Sequence, residues 1–461
     1  MTDDVARKDQ WLERVGALSR YGSLLFPQVE LLGRVYDGLQ DSRKKVGVFV
    51  APPSSGKTHV ICLLATYLAS SNKVAIVVPS NYLKEEFREE FRNIRSKPDG
   101  IDILSLFEFL RGNELYDFVL VDESHNIRSF IELDTSVVRS VTITAAEEIS
   151  QELEALYLPA GRGFSAQQIS FVSAASLLAS LKGTKHAAYL QPVLRSPTSW
   201  MYFVYAWRNP LAFLLKAINT TNLSGFRIPK TGLLLFSATP LSNDELQFYC
   251  GIDPNLIRRS PAVNTPDSPV QTSSLYLSIQ DKLTAAERLN LLRRFLKETG
   301  VRTLLLLNNS NQVNALARNL KRRRLFVVTG RHEDRMRSFR DFQAQAGAVL
   351  LTSSTVFWEG ITIRGLRLLI IPEPPFPRPP LLDLRRKRIT NLTAEIERRL
   401  QQGVGRVGRR PEDAGVCVLF FSLKRVLPRP SKYFTKKGLF EEVPASLALR
   451  KSVEYCRASH P

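Results

Sequence analysis

Residues 121–130 read VDESHNIRSF: two adjacent carboxylates, Asp122 and Glu123, followed by His125 and Asn126, directly behind an apolar run. An Asp-Glu pair ending a strand is common in purely structural settings, so the pair alone decides nothing. A second stretch changes its meaning. APPSSGKT, Ala51 to Thr58, lies between an apolar run that reads as a strand and one that reads as a helix. In that context a Gly-Lys-Thr can ring phosphate oxygens with backbone N–H donors at a helix N-terminus. Lys57 would reach the β- and γ-phosphates, and the Thr58 hydroxyl would bind Mg²⁺. A strand-end aspartate completes such a metal site, which is the reading for Asp122; Glu123 then stands ready to accept a proton from an attacking water. Ser55 and Gly56 belong to the same cradle. Two features depart from the usual loop: Ala51 stands where a leading glycine is usual, and Pro52 and Pro53 donate no N–H.

Near the C-terminus, QQGVGRVGRR brings Gln402, Arg406 and Arg409 to helical spacing. Aimed at a γ-phosphate, the two arginines would stabilise transition-state charge. A patch that grips the phosphate backbone of nucleic acid is the alternative reading. His125 could link the site to neighbouring polar groups or cap the strand end.

These residues need elements to hold them. VGVFV, KVAIVV, YDFVLV and TGLLLF are apolar throughout rather than alternating, which suits parallel strands covered on both faces. Strands alternating with helical stretches predict an α/β protein with doubly wound sheets. Residues 128–230 interrupt that rhythm; SAQQISFVSAASLLASL and NPLAFLLKAI read as helices, so the interval is expected to be a mostly helical insertion. WMYFVYAW could stack on bases or form a helical core stripe. Residues 252–274, rich in Pro, Ser and Asn, read as a linker. The α/β rhythm then resumes through VRTLLLLNNS, RLFVVTG, AVLLTSS, LRLLIIP and AGVCVLFFS, and residues 425–461 read as a basic tail.

Composition bounds the partners. With 64 Lys and Arg against 44 Asp and Glu, the 461-residue chain carries a formal charge of +20 and a pI near 9.9, a field that favours a polyanion, usually nucleic acid. The first residues, MTDDVARKDQ, lack the apolar core of a signal peptide, and no apolar run reaches the roughly 18 residues of a membrane span. An intracellular protein, cytoplasmic or nucleoid-associated and without membrane contact, is expected. Cys62, Cys250, Cys417 and Cys456 are too scattered for a sequence-local metal framework.

SSGKT, DESHN, SATP and QGVGR follow the order of superfamily-two helicase motifs. DESHNI resembles the DEAHN-I box, FWEGITIRG (357–365) resembles the FWEG-D motif, and PEPPFPRPP its following PF-P segment. Together, over about residues 20 to 421, they resemble the XPD/DinG branch. The resemblance implies two RecA-like domains clamping ATP: residues 1–127 with 231–251, and residues 275–424, with 128–230 as the counterpart of the arch. It implies adenine contact by Gln28, coupling through Ser237 and Thr239, and coupling of ATP to DNA through Glu359 and Gly360; Trp358 could equally be plain core. It implies an ATP-dependent helicase or translocase, with Mg²⁺, moving 5′ to 3′ on single-stranded or forked DNA in repair or related processing. An RNA-directed ATPase, or a binding module with a regulatory ATP site, are the rivals. The branch usually carries a four-cysteine iron–sulfur domain, but Pro79 to Asp122 contain no cysteine, so no cluster is expected. A partner protein or the 128–230 insertion would then supply the wedge for strand separation.

Overall fold

The computed structural model describes residues 2–41, 43–51, 55–95, 99–128, 141–143, 164–169, 200–208, 211–219, 228–263, 274–321, 324–328, 332–353, 357–358, 363, 365–375, 392–407, 414–427, 434 and 440–458. Chain order begins with helices α1 (Thr2–Gly16) and α2 (Phe26–Leu39), strand β1 (Val46–Val50) and α3 (Lys57–Leu68). Next come β2 (Val74–Val78), α4 (Asn81–Glu90), β3 (Ile101–Ser105), α5 (Leu106–Arg111) and β4 (Phe118–Val121). After the insertion follow β9 (Gly232–Ser237), α6 (Asn243–Cys250) and β10 (Ile257–Arg259). They build a parallel six-stranded sheet in the order β10-β1-β9-β4-β2-β3. Its central strands β1, β9, β4 and β2 are buried along nearly their whole length, the burial that an unbroken Val/Leu/Ile run requires.

A second parallel sheet has the order β13-β14-β12-β15-β16-β11-β17. Its strands are β11 (Leu275–Ile279), β12 (Thr303–Leu306), β13 (Leu325–Val328), β14 (Val349–Thr352), β15 (Leu368–Ile371), β16 (Val416–Leu419) and β17 (Glu441–Val443). The helices of this half are α7 (Ala285–Thr299), α8 (Ser310–Leu320), α9 (His332–Ala344), α10 (Leu392–Val404), α11 (Leu423–Val426) and α12 (Ala445–Ala458). The expected α/β class with two doubly wound parallel sheets is therefore what the chain forms.

Three expectations need correction. The insertion is not mostly helical where it is described. β5 (Val141–Ile143), β6 (Phe164–Ile169), β7 (Trp200–Arg208) and β8 (Leu211–Asn219) make an antiparallel sheet in the order β5-β8-β7-β6. Arg208 pairs with Leu211, so the Asn209-Pro210 dipeptide, a turn signal in the sequence, falls between two hairpin strands. WMYFVYAW is aromatic and β-branched, which favours a pleated surface, and short apolar runs cannot be told apart by periodicity alone. Secondly, the linker starts later than residue 252, because β10 pairs in parallel with β1. Thirdly, the basic tail is part of the second sheet's body: β17 pairs with β11, and α12 buries Leu449, Val453 and Cys456 in one cluster with Leu292 and Phe295 of α7. Three- to five-residue edge strands are too short to show a pattern in sequence.

The corrected C-terminus carries a test. Leu449 is 2% exposed within that shared cluster. Leu449→Ala should therefore lower unfolding stability by about 2–5 kcal/mol in chemical denaturation, as for other core truncations; an appendage would leave the transition unmoved.

Candidate nucleotide and nucleic-acid site

The site lies where three neighbouring strands of the first sheet end. β1 and β9 run in register from Val46 with Leu233 to Val50 with Ser237, and β4 pairs on the other flank of β9. At the carboxyl ends of β1, β4 and β9 the chain delivers Ala51 and the phosphate loop, Asp122, and Ser237. Open α/β sheets bind ligands at such carboxyl ends.

Gly56 turns the loop into α3 with φ +74, a conformation that glycine takes without strain. A side chain there would also strike Gln28, because an added Cβ would sit 2.3 Å from Gln28 Nε2. Gln28 is held in place by its own helix start: its Oε1 accepts the Leu25 N–H at 2.8 Å. Ser55 Oγ is buried and has no hydrogen-bond partner among the described residues, so its donor and acceptor capacity is unused. Pro52, Pro53 and Ser54 lie outside the described residues.

Lys57 points from the first turn of α3 to both carboxylates, with Nζ 3.1 Å from Asp122 Oδ1 and 2.5 Å from Glu123 Oε1. All three groups are buried or nearly so. Burial is the largest influence on each, disfavouring its charge, and is opposed by the pairing. For Lys57 the two carboxylates win and the ammonium is held above its ordinary value. For Glu123, Lys57 foremost, with Arg406, outweighs burial and holds the carboxyl below its ordinary value. Asp122 goes the other way: burial, helped by Glu123, outweighs Lys57 and raises it. Glu123 also sits at φ +46, left-handed for a residue with a side chain. Such strain costs roughly 1–3 kcal/mol and persists only where surroundings fix it.

His125 is the junction between the sheets. Its Nδ1 lies 2.8 Å from Ser237 Oγ and its Nε2 lies 2.8 Å from Gln402 Nε2, the amide on α10 of the second sheet's half. An amide nitrogen only donates, so Nε2 accepts and Nδ1 carries the ring proton. Gln402 Nε2 also donates to Thr239 Oγ1 at 3.2 Å, and Thr239 N donates to Ser237 Oγ at 3.0 Å. Four residues anticipated from the sequence thus meet in one network.

Arg406 follows the end of α10 and is 3% exposed. Its Nε and Nη2 donate to the Trp358 carbonyl at 3.1 and 2.9 Å, and its charge reaches Glu123. Trp358 is fully buried; its indole N–H donates to Leu307 O at 3.3 Å. Its ring leaves no room for a Cβ on Gly403, and Arg399 lies 4.9 Å over it. The plain-core reading of Trp358 is therefore met, and Arg406 is buried against its carbonyl. Arg409, Glu359 and Gly360 fall outside the described residues. Sequence reasoning missed Asn126, whose Nδ2 donates to His125 Nε2 and to Glu123 O, each at 3.2 Å. It also missed Arg399. An amide directly after the histidine was the available signal for the first; the second had none.

All four cysteines are buried free thiols; burial pushes Cys62 well up and Cys456 to about 11. They are inert packing groups.

A buried Lys-Asp-Glu group at strand ends thus lies beside Gln402 and Arg406, supplied by α10 and the residues after it in the second half. A family model for the type III restriction enzyme res subunit matches residues 22–109, and one for the helicase C-terminal domain matches residues 292–422. A search of curated proteins returned no match. Among solved structures, an XPD helicase aligns over 92% of this chain and 100% of its own, at 15% identity and TM-score 0.58. S. tokodaii Xpd4 aligns over 90% and 99%, at 15% identity and TM-score 0.53. S. cerevisiae Dbp5 bound to RNA and ADP BeF3 aligns over 96% and 95%, at 12% identity and TM-score 0.54. At these identities the structures speak for fold alone. The two family-model matches, with the motifs, support a superfamily-two helicase, a nucleic-acid-dependent ATPase, and the XPD structures share its fold. No helix among the described residues is long and apolar enough to cross a membrane.

The ion triad generates a pH test. In the wild type the raised Lys57 contributes stability below its ordinary 10.5, lost as pH rises through the folded value; the lowered Glu123 contributes above its ordinary 4.5, lost as pH falls. Lys57→Met leaves two buried carboxylates facing each other, so both pKa values rise and the sign inverts: stability is kept at acid pH and lost as pH increases. The variant should therefore melt below wild type by a margin that widens from about pH 5 to about pH 7. A margin independent of pH would contradict the triad.

Proposed function

We propose that the chain hydrolyses ATP to drive 5′-to-3′ movement on single-stranded or forked DNA, in repair or related DNA processing. The reading rests most on one observation: beside Lys57, Asp122 and Glu123 on the first sheet, His125 bonds Gln402 from the second half, and the charge of Arg406 reaches Glu123. A site split between two bodies closes when nucleotide binds and relaxes after hydrolysis, and that alternation is what moves a strand.

The roles follow from position. Ser55, Gly56 and Lys57 hold the phosphates, and Gln28 contacts the adenine. Thr58 and Asp122 offer the hard oxygen donors that suit Mg²⁺, which when bound neutralises charge on the phosphates. Glu123, kept ionised by its neighbours, takes the proton of the attacking water. Arg406, with Arg409, stabilises charge developing on the γ-phosphate. His125, Ser237, Thr239 and Gln402 report the state of the nucleotide across the interface, with Glu359 and Gly360 passing it to the strand. We assign residues 1–127 and 228–263 to the first domain, 128–227 to the arch-like insertion, and 274–458 to the second domain. The +20 charge supplies salt-sensitive backbone affinity inside the cell, and a protein partner supplies the wedge at a fork. The residues give no ligand set for an iron–sulfur cluster, and purified protein is expected to carry no iron.

The likeness to Dbp5, a protein bound to RNA in that structure, favours an RNA-directed ATPase as the second reading. RNA readers exploit the 2′-OH. Hydrolysis should rise strongly with single-stranded DNA and weakly with RNA of the same sequence; the reverse order would move the function to RNA.

Two substitutions test the roles. Glu123→Gln should abolish stimulated hydrolysis while nucleic-acid binding persists. Arg406→Ala should lower kcat by about 10³ or more with KM for ATP changed less than about threefold. Loss of nucleic-acid affinity with kcat retained would return Arg406 to the backbone-patch reading.

A further inference from the structure

One buried polar cluster stands beside the site and has no role in it so far. His59 follows Thr58 on the first turn of α3 and is 5% exposed. Its Nδ1 lies 2.7 Å from Glu90 Oε1 at the end of α4, and its Nε2 lies 3.0 Å from Ser19 Oγ. A carboxylate only accepts, so Nδ1 carries a proton, and Nε2 pairs with the serine hydroxyl. Ser19 Oγ in turn accepts the Tyr21 N–H at 3.2 Å, and the Tyr21 ring lies 5.0 Å from the imidazole. The order serine, histidine, glutamate is that of a hydrolytic triad, yet Ser19 is 1% exposed and closed to any substrate. The cluster is a brace.

What it braces is informative. Ser19 lies in the connection between α1 and α2. That connection is pinned to the chain after α4 by Arg20 N to Asn93 O at 2.9 Å, Arg95 N to Leu18 O at 2.8 Å, and an antiparallel bridge between Ser19 and Ile94. It leads directly into α2, whose first turn carries Gln28 against Gly56. The proposed adenine contact and the phosphate cradle are therefore joined twice: by Gln28 touching Gly56, and behind it by His59 holding Ser19. A histidine fits because it alone spans two partners on opposite ring edges with a rigid plane.

We propose that His59 is a positioning residue that, through Ser19 and Glu90, holds the Gln28 segment in register with the phosphate loop and so sets the preference for adenine nucleotides. The proposal rests on the assignment of Gln28 to adenine. Losing the brace lets α2 shift against α3, so base recognition weakens while the phosphate contacts of Lys57 survive. KM for the favoured base then changes and kcat does not.

The test measures KM and kcat for ATP and GTP, with saturating nucleic acid, in wild type, Gln28→Ala, His59→Ala, His59→Gln and Ser19→Ala. His59→Ala should raise KM for ATP about tenfold, the worth of a buried hydrogen-bonded link, leave KM for GTP and both kcat values nearly unchanged, and so reduce ATP-over-GTP selectivity as Gln28→Ala does. His59→Gln keeps an amide nitrogen within reach of Ser19 and should recover part of the selectivity. Should His59→Ala fold poorly, Ser19→Ala, which removes one hydroxyl, carries the same prediction in smaller measure. If Gln28→Ala lowers selectivity while the His59 and Ser19 variants do not, the proposal is overturned and the adenine contact stands. If Gln28→Ala leaves selectivity intact, the adenine assignment fails and the proposal with it. An equal fall of kcat for both nucleotides would make His59 a plain structural residue.

Discussion

Burying an ammonium between two carboxylates is the constraint around which this molecule is organised. Each charge alone at the end of a buried sheet would be costly, and together they are tolerable only if Lys57, Asp122 and Glu123 are held within contact of one another. That requirement fixes much else. β1 and β4 must flank β9 so that the phosphate loop and the acidic pair end at the same level. Glu123 must accept a left-handed backbone to turn its carboxylate towards Lys57. Phosphate oxygens are the natural competitors for the lysine, and a divalent cation for Asp122. In the proposed role, a nucleotide enters the triad by exchange of partners.

His125 makes the triad sensitive to the second sheet. One edge of the imidazole is committed to Ser237, and the other receives amides from Asn126 and Gln402. Gln402 belongs to α10, which also packs Gly403 against Trp358, whose carbonyl holds Arg406. A shift of α10 relative to the first sheet would therefore move the His125 partner and the arginine together. This is a short mechanical path between Glu123 and the half of the protein that carries the helicase C-terminal match.

The parts of this arrangement legible in sequence are those in which chemistry and local structure coincide. GKT after an apolar run specifies its helix start through Gly56, and DESH after another specifies a strand end. The meeting of Gln402, His125 and Thr239 was legible only through motif resemblance, since contacts across hundreds of residues leave no local pattern. The insertion was misread because Trp200–Arg208 and Leu211–Asn219 are apolar without a clear period, and only pairing partners far along the chain distinguish strand from helix. β10 and β17 were missed for a related reason: three residues acquire strand character only from the edge they extend. The His59 brace escaped notice because serine, histidine and glutamate separated by tens of residues are unremarkable until folding brings them together.

The central claim is that one hydrogen-bonded path couples the two halves of the site. A double-mutant cycle on kcat for nucleic-acid-stimulated hydrolysis addresses it most directly, using His125→Ala, Gln402→Ala and the pair. Groups in direct contact show interaction energies of about 0.5–3 kcal/mol, whereas independent groups add. The account predicts that the double variant is little worse than either single one, because each already breaks the same path. Strictly additive losses would mean that His125 and Gln402 act separately, and that the coupling runs elsewhere.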